Sequence, residues 1–243
     1  MGQALLFGVI ASSALVMGAV VGSLWSPPKL FTSILLAFAS GALISALAIE
    51  LFGEAFELGG PLPSGIGLLA GAATFVIADG LLDRHVAGHS GADGRQTAGG
   101  GASGGVGWAL LAAVALDGVP ENLALGVSLV EDASLTLLIA IFVSNLPEAL
   151  VGAVAMREEG RSPRFSIGIW VGCAIVLALA VVAGRMLTGG LSDQTLAVAL
   201  AFAGGAVIAS LADTLMPEAF EHGRPLNAFA TAAGFFVSYA LAA

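Results

Sequence analysis

Eight apolar runs follow one another along this chain, at about 3–24, 30–52, 64–83, 107–130, 133–156, 164–187, 193–216 and 224–242. Each is near the ~20 residues that a helix needs to cross the hydrocarbon of a bilayer. The pattern predicts an all-α polytopic membrane protein with eight transmembrane helices in a single transmembrane domain, residues 1–243. Composition agrees. Charged residues make up 10% of the chain and mean hydropathy is +0.98, whereas a soluble domain carries ~25% charged residues. The first run has no positive n-region and exceeds the ~7–15 residues of a signal-peptide core, so it is expected to be a spanning helix. The one long break, Asp83 to Gly105, is polar and rich in glycine and reads as a flexible loop.

Basic residues set the expected orientation. Lys29, Arg84, Arg95, Arg157, Arg161, Arg164 and Arg224 fall in or beside the links after runs one, three, five and seven; only Arg185 falls on the other side. By the positive-inside rule those links are cytoplasmic, both termini lie outside, and 83–105 is a cytoplasmic loop. The setting this implies is the plasma membrane. Eight basic residues against a net charge of −9 leave nothing to attract nucleic acid. The single cysteine, Cys173, excludes an intrachain disulfide and a thiolate metal cluster.

Two distant segments are alike. Ala37–Leu62, "AFASGALISALAIELFGEAFELGGPL", matches Ala201–Leu226, "AFAGGAVIASLADTLMPEAFEHGRPL", at 16 of 26 ungapped positions. Run seven therefore repeats run two. Run seven comes five runs after run two, an odd number, so the copies are expected to point in opposite directions. This suggests a 3+2+3 arrangement with an inverted repeat, helices 1–3 against helices 6–8, as in secondary transporters. Runs one and six each carry a Gly-x-x-x-Gly, Gly18/Gly22 and Gly168/Gly172, consistent with close helix packing.

The two runs left outside the repeat carry acids in their middles. In run four, "LLAAVALDGVPENLALGVSLV", Asp117 and Glu121 are four apart and share a helix face. Asp117 lies about ten residues from the run's end, ~15 Å at 1.5 Å per residue. In run five, "IAIFVSNLPEALVGAV", Asn145 and Glu148 are three apart. Pro120 and Pro147 have no N–H, which frees the carbonyls of Leu116 and Val143. An acid at the centre of a spanning helix costs ~2.5–3.5 kcal/mol unless paired or neutralised, and no lysine or arginine lies in either core. A cation is the natural partner. Carboxylate, amide and hydroxyl oxygens without thiolate suit a hard or borderline divalent ion. Protonated acids that bond neighbouring helices are the plainer reading of the same residues, and Ser144 and Asn145 have a plain role as helix–helix contacts.

At these residues the chain resembles the ZIP (Zrt/Irt-like) metal transporter family, over essentially its whole length. The family's fourth helix carries a pattern like His-Asn-x-Pro-Glu-Gly, where this chain has Asp117-Gly118-Val119-Pro120-Glu121-Asn122. Its fifth carries His or Gln, an acid, two residues and Glu, where this chain has Ser144-Asn145-Leu146-Pro147-Glu148. The resemblance implies a binuclear site, with Asp117, Glu121, Ser144 and Glu148 at positions of the first site and Asn145 and Glu148 at positions of the second. It departs at the histidines, replaced by Asp117 and Ser144, and at the family's Asn, which is Gly118. The acid often supplied by helix six is also missing from "IGIWVGCAIVLALAVVAG". The substrate implied is a divalent metal ion, zinc first, with Mn²⁺ or Fe²⁺ as alternatives that an oxygen-only site favours.

Glu50, Asp79 and Asp213 near helix ends, and Glu218 with Glu221 and His222, are candidate steps on a cation pathway; solvated helix-end acids are the simpler reading. His85 and His89 fall in the Gly-rich loop, and Glu54 and Glu57 mark the opposite mouth. The expected function is divalent metal transport toward the cytoplasm. The alternative is a non-transporting module that senses metal or acts as a scaffold. Expected partners are the metal ion and the lipid bilayer, with a homodimer left open. An intramembrane enzyme is not expected: none of the three histidines lies inside a run, and no His-Glu-x-x-His is present.

Overall fold

In hydrocarbon every backbone N–H and C=O must be satisfied within its own segment, which favours unbroken helices. The computed structural model describes residues 1–89, 118–129 and 134–242, and those residues are helices joined by short turns, with no strand among them. The helices are α1 (Gly2–Leu24), α2 (Lys29–Gly59), α3 (Pro61–His89), α4 (118–128), α5 (Leu135–Glu158), α6 (Pro163–Thr188), α7 (Asp193–Glu221) and α8 (Leu226–Ala242). Among the described residues, six helices, α1, α2, α3, α5, α6 and α7, are long and apolar enough to cross a membrane. α8 is apolar but has 17 residues. Asp117 and the first half of the fourth run lie outside the described residues, as does the Gly-rich segment from residue 90.

Local chemistry sets the starts. Ser134, Ser162 and Ser192 cap α5, α6 and α7, their hydroxyls accepting from the backbone N–H of Leu137, Phe165 and Thr195. Such caps satisfy donors that the first turn leaves open. Gly60, at φ 72°, turns the chain between α2 and α3 in a single residue.

Three ends differ from expectation. α2 continues through Glu54 and Glu57 to Gly59, α7 continues to Glu221, and α3 stays helical to His89, where a loop was expected from residue 83. A drop in hydropathy marks where apolar surface ends, not where a helix ends. Leu81–Ala87 contains no glycine or proline to stop the helix. α2 and α7 are also built alike. Each opens with 18 residues of α-helix, passes through a π-helical turn (Leu47–Gly53 and Leu211–Leu215), and closes with a short α segment. The two π turns begin at the same alignment position of the two similar segments. In α7, Pro217 has no N–H to offer the Asp213 carbonyl at that point.

Between apolar helices in lipid, van der Waals contact at small residues drives association. Gly41 of α2 sits on the Thr231 carbonyl of α8, and Gly234 of α8 sits on the Phe38 carbonyl of α2. The same reciprocal contact joins α3 and α7, with Gly71 on the Phe202 carbonyl and Gly205 on that of Leu68. Gly18 and Gly22 bring α1 onto the Leu146 and Leu150 carbonyls of α5. Gly126 of α4 and Gly184 of α6 meet the Val181 and Leu123 carbonyls. α1 also crosses α6, where a Cβ on Gly8 would stand 2.7 Å from the Ala178 oxygen. A continuous buried cluster, including Leu43, Leu47, Leu125, Ile141, Leu200 and Val207, joins α2, α4, α5 and α7.

The expected glycine pair of α1 packs as anticipated, but that of α6 does not. Among the described residues, a Cβ on Gly168 or Gly172 would have no neighbour within 4 Å. α6 uses Gly184 instead. Spacing places two glycines on one face; only packing decides whether that face meets a helix. Gly168→Ala and Gly172→Ala should therefore preserve the fold and raise helix stability by up to ~1 kcal/mol each. Gly184→Ala, which drives a methyl onto a backbone carbonyl, should lower the melting temperature in detergent. A drop with Gly168→Ala of the size seen with Gly184→Ala would contradict this packing.

Candidate metal centre

α4 and α5 bring the two polar clusters together. Glu121 of α4 is 5% exposed and Ser144 of α5 is fully buried. The Ser144 hydroxyl lies 3.5 Å from Glu121 Oε2 and 3.0 Å from its own-helix acceptor, the Ile141 carbonyl. The first distance is at the outer limit for a hydrogen bond, so the two helices meet here through a loose contact between a carboxylate and a hydroxyl. Glu148 follows one turn after Ser144 and is half-buried. Pro147 is buried within an unbroken α5, and lacks the N–H that the Val143 carbonyl would otherwise accept from.

Two buried asparagines flank this contact, and they behave alike. The Asn145 side-chain N–H donates to the Ala11 carbonyl of α1 at 3.2 Å, and that of Asn122 donates to the Gly118 carbonyl at 2.8 Å. Because a carbonyl can only accept, these bonds fix which end of each amide is nitrogen. Among the described residues, each Oδ1 is then left buried without a hydrogen-bond partner. Such an oxygen is costly to bury, about 1–3 kcal/mol, and suits a cation or an ordered water. Asn122 was not among the expected site residues. It was legible as a polar residue beside Glu121 in an apolar run, but attention to acids passes over it.

Other positions are structural. A Cβ on Gly118 would meet Leu177 Cδ1 of α6 at 2.6 Å. Hydrocarbon fills the space beside it, and α6 contributes a leucine there. Among the described residues, no three His, Cys, Asp or Glu side chains gather closely enough to hold a metal ion. Asp117, expected at the site, lies outside those residues.

The pathway candidates are spread out. Glu50 is half-buried in the π turn of α2, Asp79 is half-buried in α3, and Asp213 is exposed in the π turn of α7. Glu218, Glu221 and His222 are exposed at the end of α7. There Lys29 Nζ lies 3.4 Å from His222 Nε2, and Glu221 lies 3.7 Å from His222 Nδ1. Lysine can only donate, so in a Lys29–His222 hydrogen bond Nε2 is the acceptor. The cluster thus takes its cation from the chain itself. Nearby, Arg157 of α5 donates to Ser26, so Lys29, Arg157 and Arg224 gather at one end of the bundle. Comparison with protein-family models finds none that matches the chain, and no curated protein matches it either.

Proposed function

We propose that the chain is a divalent-metal transporter of ZIP type, carrying its ion toward the cytoplasm between α4 and α5. One observation carries the reading: a glutamate, Glu121, is buried in an apolar bundle beside the Ser144 hydroxyl of a neighbouring helix. Buried acids in spanning helices mark ion pathways because their desolvation must be offset. Glu121, Ser144, Asn145 and Glu148, with Asp117 one turn before Glu121, supply the oxygens. Zinc is the first candidate. Mn²⁺ and Fe²⁺ fit the absence of nitrogen and sulfur ligands.

Eight spans in a 3+2+3 arrangement with an inverted repeat are part of the same reading. Three features support it: the similarity of Ala37–Leu62 to Ala201–Leu226, the matching π turns in α2 and α7, and the reciprocal glycine contacts of α2–α8 and α3–α7. The gathering of Lys29, Arg157 and Arg224 at one end supports a cytoplasmic assignment for that end, with the termini outside in a plasma membrane.

A second reading, a metal-sensing or scaffold module without flux, is favoured by Leu177 filling the space beside Gly118 and by the Asn145 amide being tied to α1. Metal uptake into proteoliposomes separates the two. Transport predicts ion-dependent uptake that is lost in Asp117→Ala and Glu148→Ala. Metal-dependent thermal stabilisation without uptake would establish the sensor, and uptake unchanged in both variants would sink the site assignment.

A further inference from the structure

We propose that the acyl chain of a membrane phospholipid occupies a lateral cavity between α3, α4, α6 and α7, packed against the helix that carries Glu121. The cavity has a volume of about 330 Å³ and is lined by Phe75 of α3, Pro120 and Leu123 of α4, Leu187 of α6, and Phe202 and Ala206 of α7. Its wall is hydrocarbon. Thr74 brings the one hydroxyl among the lining side chains, and that hydroxyl already donates to the Ala70 carbonyl at 2.8 Å.

Water does not suit such a space, because a buried water needs two to four polar partners. Left empty, it forfeits the dispersion contacts of every residue around it. Apolar cavities of about 150 Å³ already take up benzene or xenon, and this one is larger. Its position says what fills it. The lining residues sit midway along α3 and α7, two helices long and apolar enough to cross a bilayer. The neighbouring outer surface is equally apolar, with Ile77 62% and Leu187 71% exposed. Thr74, Leu187 and Phe202 of the lining are exposed, so the cavity opens onto the outer surface of the bundle, and in a membrane-spanning protein lipid reaches it from there. Phospholipid acyl chains are the abundant apolar species at that depth. With Pro120 in the wall, the chain bears on α4 one residue from Glu121. The inference depends on the membrane-spanning architecture and not on the metal reading.

The test uses the purified full-length chain in a mild detergent, titrated with dioleoyl phosphatidylcholine and observed by native mass spectrometry and thermal unfolding. Wild-type protein should keep one phospholipid at collision energies that strip the rest, and its melting temperature should rise with lipid. Ala206→Phe, which fills the cavity, should weaken that retention by about tenfold or more and abolish the lipid-dependent rise. Ile77→Ala, on the outer face, should change neither. Should Ala206→Phe fail to fold, Ala203→Leu carries the same expectation. Equal retention in the filled and wild-type proteins, or no retained phospholipid in the wild type, would overturn the proposal.

Discussion

On the proposed transporter reading, replacing Glu121 with Gln should abolish metal uptake, and in metal-free detergent the variant should be as stable as the wild type or more so. The two halves have opposite causes. Glu121 is 5% exposed, beside Ser144 of α5. Burying a carboxylate in a spanning helix carries a desolvation cost of ~2.5–3.5 kcal/mol, which its hydrogen-bond partners and a bound ion offset. Glutamine keeps the shape and removes the charge, so metal-free protein loses a burden. If the site binds metal as proposed, wild-type protein should gain about 2.7 kcal/mol when the ion stands at a hundred times its dissociation constant, and the variant should gain little of this. Flux should fall to the background of protein-free vesicles, because a charged ligand is lost from a small set. Uptake and thermal shift, measured on the same preparations with Zn²⁺ and Mn²⁺, check both halves. A Glu121→Gln protein that transports normally, or one that is destabilised without metal and still stabilised by it, would remove Glu121 from the site.

Gly234→Leu should detach α8. Its glycine lies on the Phe38 carbonyl of α2, with Gly41 on Thr231 as the reciprocal contact. Neither residue can carry a side chain unless two backbones move apart. Overpacking costs about 1–3 kcal/mol where the neighbour can yield, and a carbonyl in a helix yields poorly. α8 has 17 residues and packs mainly against α2, so little else holds it. Gly71→Leu at the α3–α7 contact should have a similar effect, since its methylene would fall on the Phe202 carbonyl. Unfolding in detergent, read with a disulfide between cysteines placed on α2 and α8, checks the loss of stability and of proximity together. Because the two contacts sit at matching places, comparable losses support the inverted repeat. A severe loss at Gly234 with none at Gly71 would count against it.

Much of this protein was legible in its residues. Helices were, because a run of about 20 apolar residues in a bilayer has few other ways to satisfy its backbone. The relation between α2 and α7 was also legible, because identity at 16 of 26 positions survives without any coordinates. So were Glu121, Ser144 and Asn145 as oxygens out of place in hydrocarbon. The tertiary structure decided what each one touches. Period and spacing put residues on a face, but the neighbour across that face comes from remote sequence. Asn145 meets Ala11, and Leu177 fills the space beside Gly118. Gly168 and Gly172 look like a packing motif and face open space, while Gly184, with no pattern around it, takes the close contact with α4. Asn122 joined the site only when its amide was seen to hold Gly118 and leave a buried oxygen behind. Composition and periodicity act along one helix; close packing and hydrogen-bond satisfaction act between helices, and those terms exist only once the bundle has formed.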